Sequence, residues 1–203
     1  MYYNSYIESN QMSDSAASER VWYLLFNERS QDDCTLAFQL ASDGAKLGCH
    51  HCKGILAYLL YYGCGCEQNV NEALGLAKES ADQGSEYGHL AYGRIIYWTD
   101  PKNRDTAIKH YMIASEMKLN EALLTVGNRL MCGTYFPIDK EMGFKLIMEA
   151  AHQKHRSAYH RLGRCYESGD GVPVDKIEAI RWYTMAIKAG FTSSQQALNR
   201  LTK

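Results

Sequence analysis

Gly48, Gly84 and Gly190 fall in one register with Lys118 and Lys154, at separations of 36, 34, 36 and 36 residues, so this 203-residue chain repeats itself about every three dozen positions. A fixed period of that size marks stacked supersecondary units, none of which can bury its apolar face alone. Val21, Ala57, Gly93, Gly127, Gly163 and Asn199 form a second register, spaced by 36, 36, 34, 36 and 36 residues, in which small side chains predominate. Such a position is where one helix lies closest to its neighbour, because a minimal side chain admits backbone at short range. A third register holds Ala37, Ala73, Ala107, Gly143 and Ala179, followed three residues on by Leu40, Leu76, His110, Leu146 and Trp182. Offsets of three, four and seven are the period of a helix, and no alternating strand pattern competes with them.

The last unit is the best formed: Ala158, Leu162-Gly163, Tyr166, Gly169-Asp170-Gly171-Val172, Asp175, Ala179, Trp182, Ala186 and Gly190. On these residues the chain resembles the Sel-1-like repeat (SLR) family, relatives of the tetratricopeptide repeats. The resemblance spans about residues 15–203, fullest in the fifth unit, good in the second and fourth, partial in the third and weakest in the first. It implies an all-α, right-handed α-solenoid of about five Sel-1-like helical hairpins closed by a C-terminal capping helix. The units run over about 15–48, 49–84, 85–118, 119–154 and 155–190, with the cap over 191–203 and a flexible N-terminal segment over 1–14. The third unit is two residues short around Thr99-Asp100-Pro101, and Lys118 and Lys154 replace the terminal glycine. Those two helix ends are expected to close less sharply than ends where glycine takes the left-handed cap.

Local chemistry alone gives the same hairpins. Gly169-Asp170-Gly171-Val172-Pro173-Val174 breaks a helix, and Asp175 then offers an N-cap for the next; Gly63-Cys64-Gly65 breaks the second unit in the same way. The spacing predicts helix pairs over 15–27 and 32–46, 50–62 and 70–82, 86–98 and 103–117, 120–132 and 140–153, and 156–168 and 175–188, then a helix over 193–202. Gln195, Gln196, Asn199 and Arg200 make one side of that final helix polar, as a terminal repeat requires.

A net charge of -1 leaves no basic face of the kind that nucleic-acid backbones require, so nucleic acid is not an expected partner. No apolar run approaches twenty residues, so no membrane insertion is expected. The start of the chain has neither a basic segment nor an apolar stretch of the secretory kind, and a cytoplasmic location is the expectation.

Cys49-His50-His51-Cys52 followed by Cys64-Gly65-Cys66 has zinc-ligand residue types at short spacing. If Cys52 and Cys64 lie at opposite ends of one helix, however, twelve residues at ~1.5 Å each separate them by roughly 18 Å, too far to share an ion. Seven cysteines is an odd count, and four of them crowd into one unit instead of recurring once per repeat, so reduced, metal-free thiols are expected. Catalytic signatures are absent from the sequence: no Gly-x-Ser-x-Gly, no His-Glu-x-x-His, no phosphate-cradling loop. The remaining enzymatic alternative is a cysteine-dependent hydrolase using Cys165 with His160 or His155. Asp170 and Asp175 lack the terminal glutamate of a calcium loop and read as turn plus cap. Neither catalytic residues nor cofactors are assigned.

In the tetratricopeptide architecture that the resemblance invokes, the first helix of each hairpin lines a concave face, and the residue after the small position points into it. Here that row reads Trp22, Tyr58, Arg94, Asn128, Arg164 and Arg200. Tyr61, Tyr62, Tyr97, Trp98 and Glu167 follow one turn later, and Tyr87 lies six residues before the small position of its unit. Tyr, Trp and Arg dominate interface energetics because they cover large areas and end in a polar handle. These residues are the expected partner-binding set. The expected function is a non-enzymatic protein-protein interaction module, an adaptor, inhibitor, immunity-type neutralising partner or regulatory scaffold, on a monomer or weak dimer; a host-directed bacterial effector or signalling scaffold is the alternative.

Overall fold

The computed structural model describes residues 14–25 and 31–202. The predicted N-terminal segment therefore lies outside the described residues except for its last position. Among the described residues eleven α-helices and no strand occur, and 78% of those residues are helical. They are α1 (Asp14–Tyr23), α2 (Gln31–Lys46), α3 (His50–Tyr62), α4 (Val70–Asp82), α5 (Glu86–Thr99), α6 (Arg104–Glu116), α7 (Asn120–Cys132), α8 (Lys140–His152), α9 (Arg156–Ser168), α10 (Lys176–Lys188) and α11 (Ser194–Leu201). A short 3-10 turn, Pro101–Asn103, joins α5 to α6 where the third unit is two residues short. The helix bounds agree with the periodicity to within a residue or so from α3 onward.

The chain divides into two compact units, Met1–Met117 and Lys118–Lys203. Unit 1 holds α1 to α6 and unit 2 holds α7 to α11. Within each unit consecutive helices pair as hairpins, and the small-residue registers lie at their contacts. In unit 2 a Cβ on Gly127 would stand 2.7 Å from Ile147 Cγ1 and 2.9 Å from the Gly143 carbonyl oxygen, and one on Gly163 would stand 2.6 Å from the Tyr183 ring. In unit 1 a Cβ on Gly93 would approach the Ala107 carbonyl oxygen to 2.9 Å. Ala73, Ala77, Ala107 and Ala114 on the second helices of unit 1 are fully buried, as are Ala150, Ala179 and Ala186 in unit 2. Small residues on both sides thus bring the backbones together, while Leu59, Ile55, Leu90 and Ile95 fill unit 1 and Leu123, Ile147 and Leu162 fill unit 2.

Helix ends follow the expected chemistry at Asp175, whose Oδ1 accepts from the Ile177 and Glu178 amides at 2.9 and 3.1 Å. They depart from it at the two lysines. Gly84 closes α4 in the left-handed region at φ +81°, with the Gly84 amide donating to Ala81 O and Ser85 to Ser80 O. Lys154 closes α8 in the same way, at φ +62°, with Lys154 donating to Ala151 O and His155 to Ala150 O. Lys118 takes φ +65°. The expectation of a looser end at these positions is therefore corrected: the repeat geometry imposes the left-handed cap even on a residue with a Cβ. Lysine should bear a cost of about 1 kcal/mol there, partly offset by the greater unfolded-state freedom of glycine. Lys154→Gly is accordingly expected to stabilise the protein by about 0.5 kcal/mol, read as a higher urea midpoint at unchanged slope.

Candidate protein-binding surface

Residues one repeat apart stand side by side on adjacent first helices, so a row in the sequence becomes a stack of side chains. In unit 1, Trp22 on α1 meets Tyr58 on α3 edge to face, with ring centroids 5.2 Å apart, and Tyr58 meets Tyr62 at 4.8 Å. Trp22 also meets Tyr87 at 4.9 Å, and Tyr62 meets Tyr61 at 4.9 Å. Arg94 on α5 closes this aromatic run. Its guanidinium lies over the Tyr58 ring at 5.5 Å and the Tyr62 ring at 5.9 Å, and its Nη1 donates to the Tyr62 hydroxyl at 2.8 Å. A cation over rings is attracted by their negative faces, and the bond to the Tyr62 hydroxyl helps to orient the fork.

The rings differ sharply in exposure. Tyr87 and Tyr97 are both 3% exposed and pack inward, Tyr87 on Trp22 and Tyr97 on Tyr111. Trp22 is buried as well, while Tyr58 and Tyr61 are half-buried. Trp98 and Tyr62, by contrast, are 62% and 47% exposed. Trp98 lies one turn beyond Arg94 on α5, its ring 5.2 Å from that of Tyr97. Burial pushes the Tyr61 phenol up, with Tyr62 adding to the shift, so the Tyr61 hydroxyl is a neutral donor and acceptor at physiological pH.

In unit 2 the predicted residues pair with each other. Arg200 on α11 donates from Nε and Nη2 to Glu167 Oε1 at 3.1 and 2.6 Å, and the Tyr183 hydroxyl donates to Glu167 Oε2 at 2.7 Å. Burial works to raise the Glu167 carboxyl, yet the bonds from Tyr183 and Arg200 outweigh it and hold it below the usual carboxylate range. Arg164 is exposed on α9 and Asn128 is half-buried on α7. The sequence reading missed Tyr183 as the third member of this network, which is 16 residues from Glu167; that residues about one repeat apart meet was a signal only for Glu167 and Arg200, 33 apart.

The same rule locates polar pairs that the sequence reading passed over. His155 Nε2 meets Glu121 Oε2 at 2.9 Å, and His160 Nδ1 meets the Ser194 hydroxyl at 2.9 Å. Both histidines of the hydrolase alternative are thus engaged elsewhere. The Cys165 thiol donates to Met131 Sδ at 3.7 Å, and burial pushes it up to about 11, opposite to what an activated nucleophile needs. Among the described residues no cluster of three or more His, Cys, Asp or Glu could hold a metal ion. No helix among them is long and apolar enough to cross a membrane.

A second histidine pair sits in unit 1, where His89 Nδ1 and His110 Nδ1 are 2.8 Å apart, so one ring donates and the other accepts. Burial holds both imidazoles below their ordinary value, in His110 reinforced by His89, while Asp82 opposes the shift. A depressed folded pKa makes the unfolded chain the better proton acceptor, so this contribution is whole above the unfolded value of 6.5 and declines as pH falls below it. The melting temperature should therefore drop between about pH 7.5 and 5, and His110→Gln should flatten that slope.

The geometry defines a class, a helical repeat protein with aromatic and arginine side chains stacked along its first helices. The Sel1 repeat profile matches residues 45–85 and 156–191, and these matches together with the fold support a helical repeat protein of the Sel1-like kind. No curated protein matches it. Among solved structures it is similar to a protective antigen of uropathogenic Escherichia coli strains displaying an SLR fold, with a TM-score of 0.71 and 22% identity over 96% of this chain and 42% of that one. It is also similar to a Sel1 repeat protein from Oxalobacter formigenes, with a TM-score of 0.67 and 27% identity over 95% of this chain and 57% of the other. An immunity protein from Pseudomonas aeruginosa matches with a TM-score of 0.61 and 20% identity over 89% of this chain and 67% of that one. The chain thus spans about half the length of the first two.

Proposed function

We propose that the chain is a non-enzymatic protein-binding module of the adaptor or neutralising type, and that the Tyr62, Arg94 and Trp98 surface of unit 1 anchors its partner. The Sel1 repeat fold typically serves protein-protein interaction. The observation that carries the assignment of the surface is the exposure of Trp98 and Tyr62 beside a guanidinium already oriented by two rings. Large aromatic anchors next to a pre-organised arginine are the composition of an interface hot spot, since little side-chain freedom remains to be lost on binding. An arginine guanidinium beside exposed rings favours a carboxylate, so the partner should offer an apolar side chain with an acidic group beside it. The likeness to an immunity protein supports the neutralising version, in which the partner is a toxic protein.

The test is recovery of the partner on immobilised protein from the cells that make this chain, in parallel with two variants. An Arg94→Ala, Trp98→Ala double variant should lose it, and a Lys78→Ala, Lys109→Ala variant, altered at exposed positions of the second helices, should retain it. Recovery unchanged in the first and lost in the second would place recognition elsewhere.

A further inference from the structure

We propose that Cys34 and Cys64 form a reversible disulfide that staples the loop after α3 to the first turn of α2. The two sulfur atoms lie 2.7 Å apart, the Cys64 thiol facing that of Cys34, and both residues are partly exposed. The backbone around them is in close contact, because a Cβ on the neighbouring Gly65 would stand 2.3 Å from the Cys34 carbonyl oxygen. Spacing alone hides the pair, since the cysteines belong to different repeats, 30 residues apart.

The repeat itself supplies an independent argument. The counterparts of Cys34 and Cys64 in the last two hairpins are Lys140 and Asp170, by the registers that align Ala37 with Gly143 and Ala57 with Gly163. Lys140 Nζ and Asp170 Oδ1 form an ion pair at 2.8 Å, and a Cβ on Gly171 would stand 2.1 Å from the Lys140 carbonyl oxygen, the same approach that Gly65 makes to Cys34. This position of the repeat therefore brings the loop against the preceding hairpin in both places, with an ion pair in unit 2 and two facing thiols in unit 1. The other thiols of unit 1 point elsewhere. Cys66 faces the Leu59 carbonyl at 3.7 Å and burial pushes it up, Cys52 is fully buried, and the Cys49 sulfur accepts from the Cys52 amide at 3.3 Å.

The oxidant is a small-molecule disulfide such as oxidised glutathione. The thiolate of one cysteine attacks a glutathione sulfur, the oxidant's S–S bond breaks, and one glutathione thiolate leaves. The second cysteine, as thiolate, attacks the cysteine sulfur of the mixed disulfide; the Cys34–Cys64 bond forms and the second glutathione leaves. Two electrons pass to glutathione, and the two thiol protons finish on the two released glutathione thiols.

The folded full-length protein should be equilibrated with oxidised glutathione, quenched with an alkylating reagent, digested and mapped by mass spectrometry. A linked peptide joining Cys34 to Cys64, with five of the seven thiols still alkylated, is the expected result. The link should persist in Cys66→Ser, vanish in Cys34→Ser and in Cys64→Ser, and disappear when reductant is added. Seven alkylated thiols, a Cys64–Cys66 link as the main product, or a stable glutathione adduct on Cys34 or Cys64 would each overturn the proposal.

Discussion

Gly88→Ala should destabilise unit 1 by about 3 kcal/mol, a large effect for one added methyl group. A Cβ at Gly88 would lie 2.4 Å from the Ala81 amide nitrogen and 2.6 Å from the Ser80 carbonyl carbon. At the facing position of α3, a Cβ on Gly54 would lie 2.4 Å from the Gly88 nitrogen and 2.7 Å from the Tyr87 carbonyl carbon. The end of α4, the start of α5 and the middle of α3 therefore meet backbone to backbone, and no side-chain rotation can relieve the added carbon. Gly75 is the internal control. It is exposed in α4 with nothing within 4 Å of its Cβ position, so Gly75→Ala should stabilise the helix by roughly 0.5–1 kcal/mol. Urea unfolding of the two variants decides the matter: equal midpoints would mean that the three backbones do not approach as described.

That crossing was not legible in the glycine registers, because Leu90, Leu124 and His160 stand where Gly54 does in the later units, and Ala122 and Ala158 stand where Gly88 does. The registers found what recurs. Gly93, Gly127 and Gly163 are contact points because every hairpin must close on itself, and the helix limits follow from the same period. One-off features need coordinates. The left-handed Lys154 illustrates the distinction, since its residue type argues for a loose end while its neighbours, hydrogen-bonded as in the glycine-capped hairpins, determine the conformation. Within the candidate site the row of first-helix residues was legible, but exposure was not. Tyr97 and Trp98 are adjacent in sequence and differ from 3% to 62% exposed, since a helix turns about 100° per residue and only one of the two can face the core. Likewise nothing in composition shows that Arg200 is held by Glu167, because the pairing depends on α11 lying against α9 in unit 2.

Truncating Arg94 should cost about 2 kcal/mol of partner affinity, roughly thirtyfold in Kd, and replacing it by lysine should recover only a small part of that. The reasoning begins with how the side chain is held. Arg94 lies over the Tyr58 and Tyr62 rings and is bonded to the Tyr62 hydroxyl, so it is held before a partner arrives, and the entropy of ordering it has been met in folding. Lysine keeps the charge but loses the planar fork that stacks on the rings and grips a carboxylate through two parallel bonds. Trp98→Ala should cost a similar amount by removing apolar area, yet the two losses should differ in their response to salt. The Arg94 contribution involves charge and should shrink between about 0.05 and 0.5 M salt, whereas the Trp98 contribution should hold. Calorimetric titration of the recovered partner against wild type, Arg94→Ala, Arg94→Lys and Trp98→Ala, with circular dichroism to verify the fold, separates these terms. If Arg94→Lys binds as well as wild type, Arg94 acts as a simple positive charge and the stacked guanidinium is not what the partner reads.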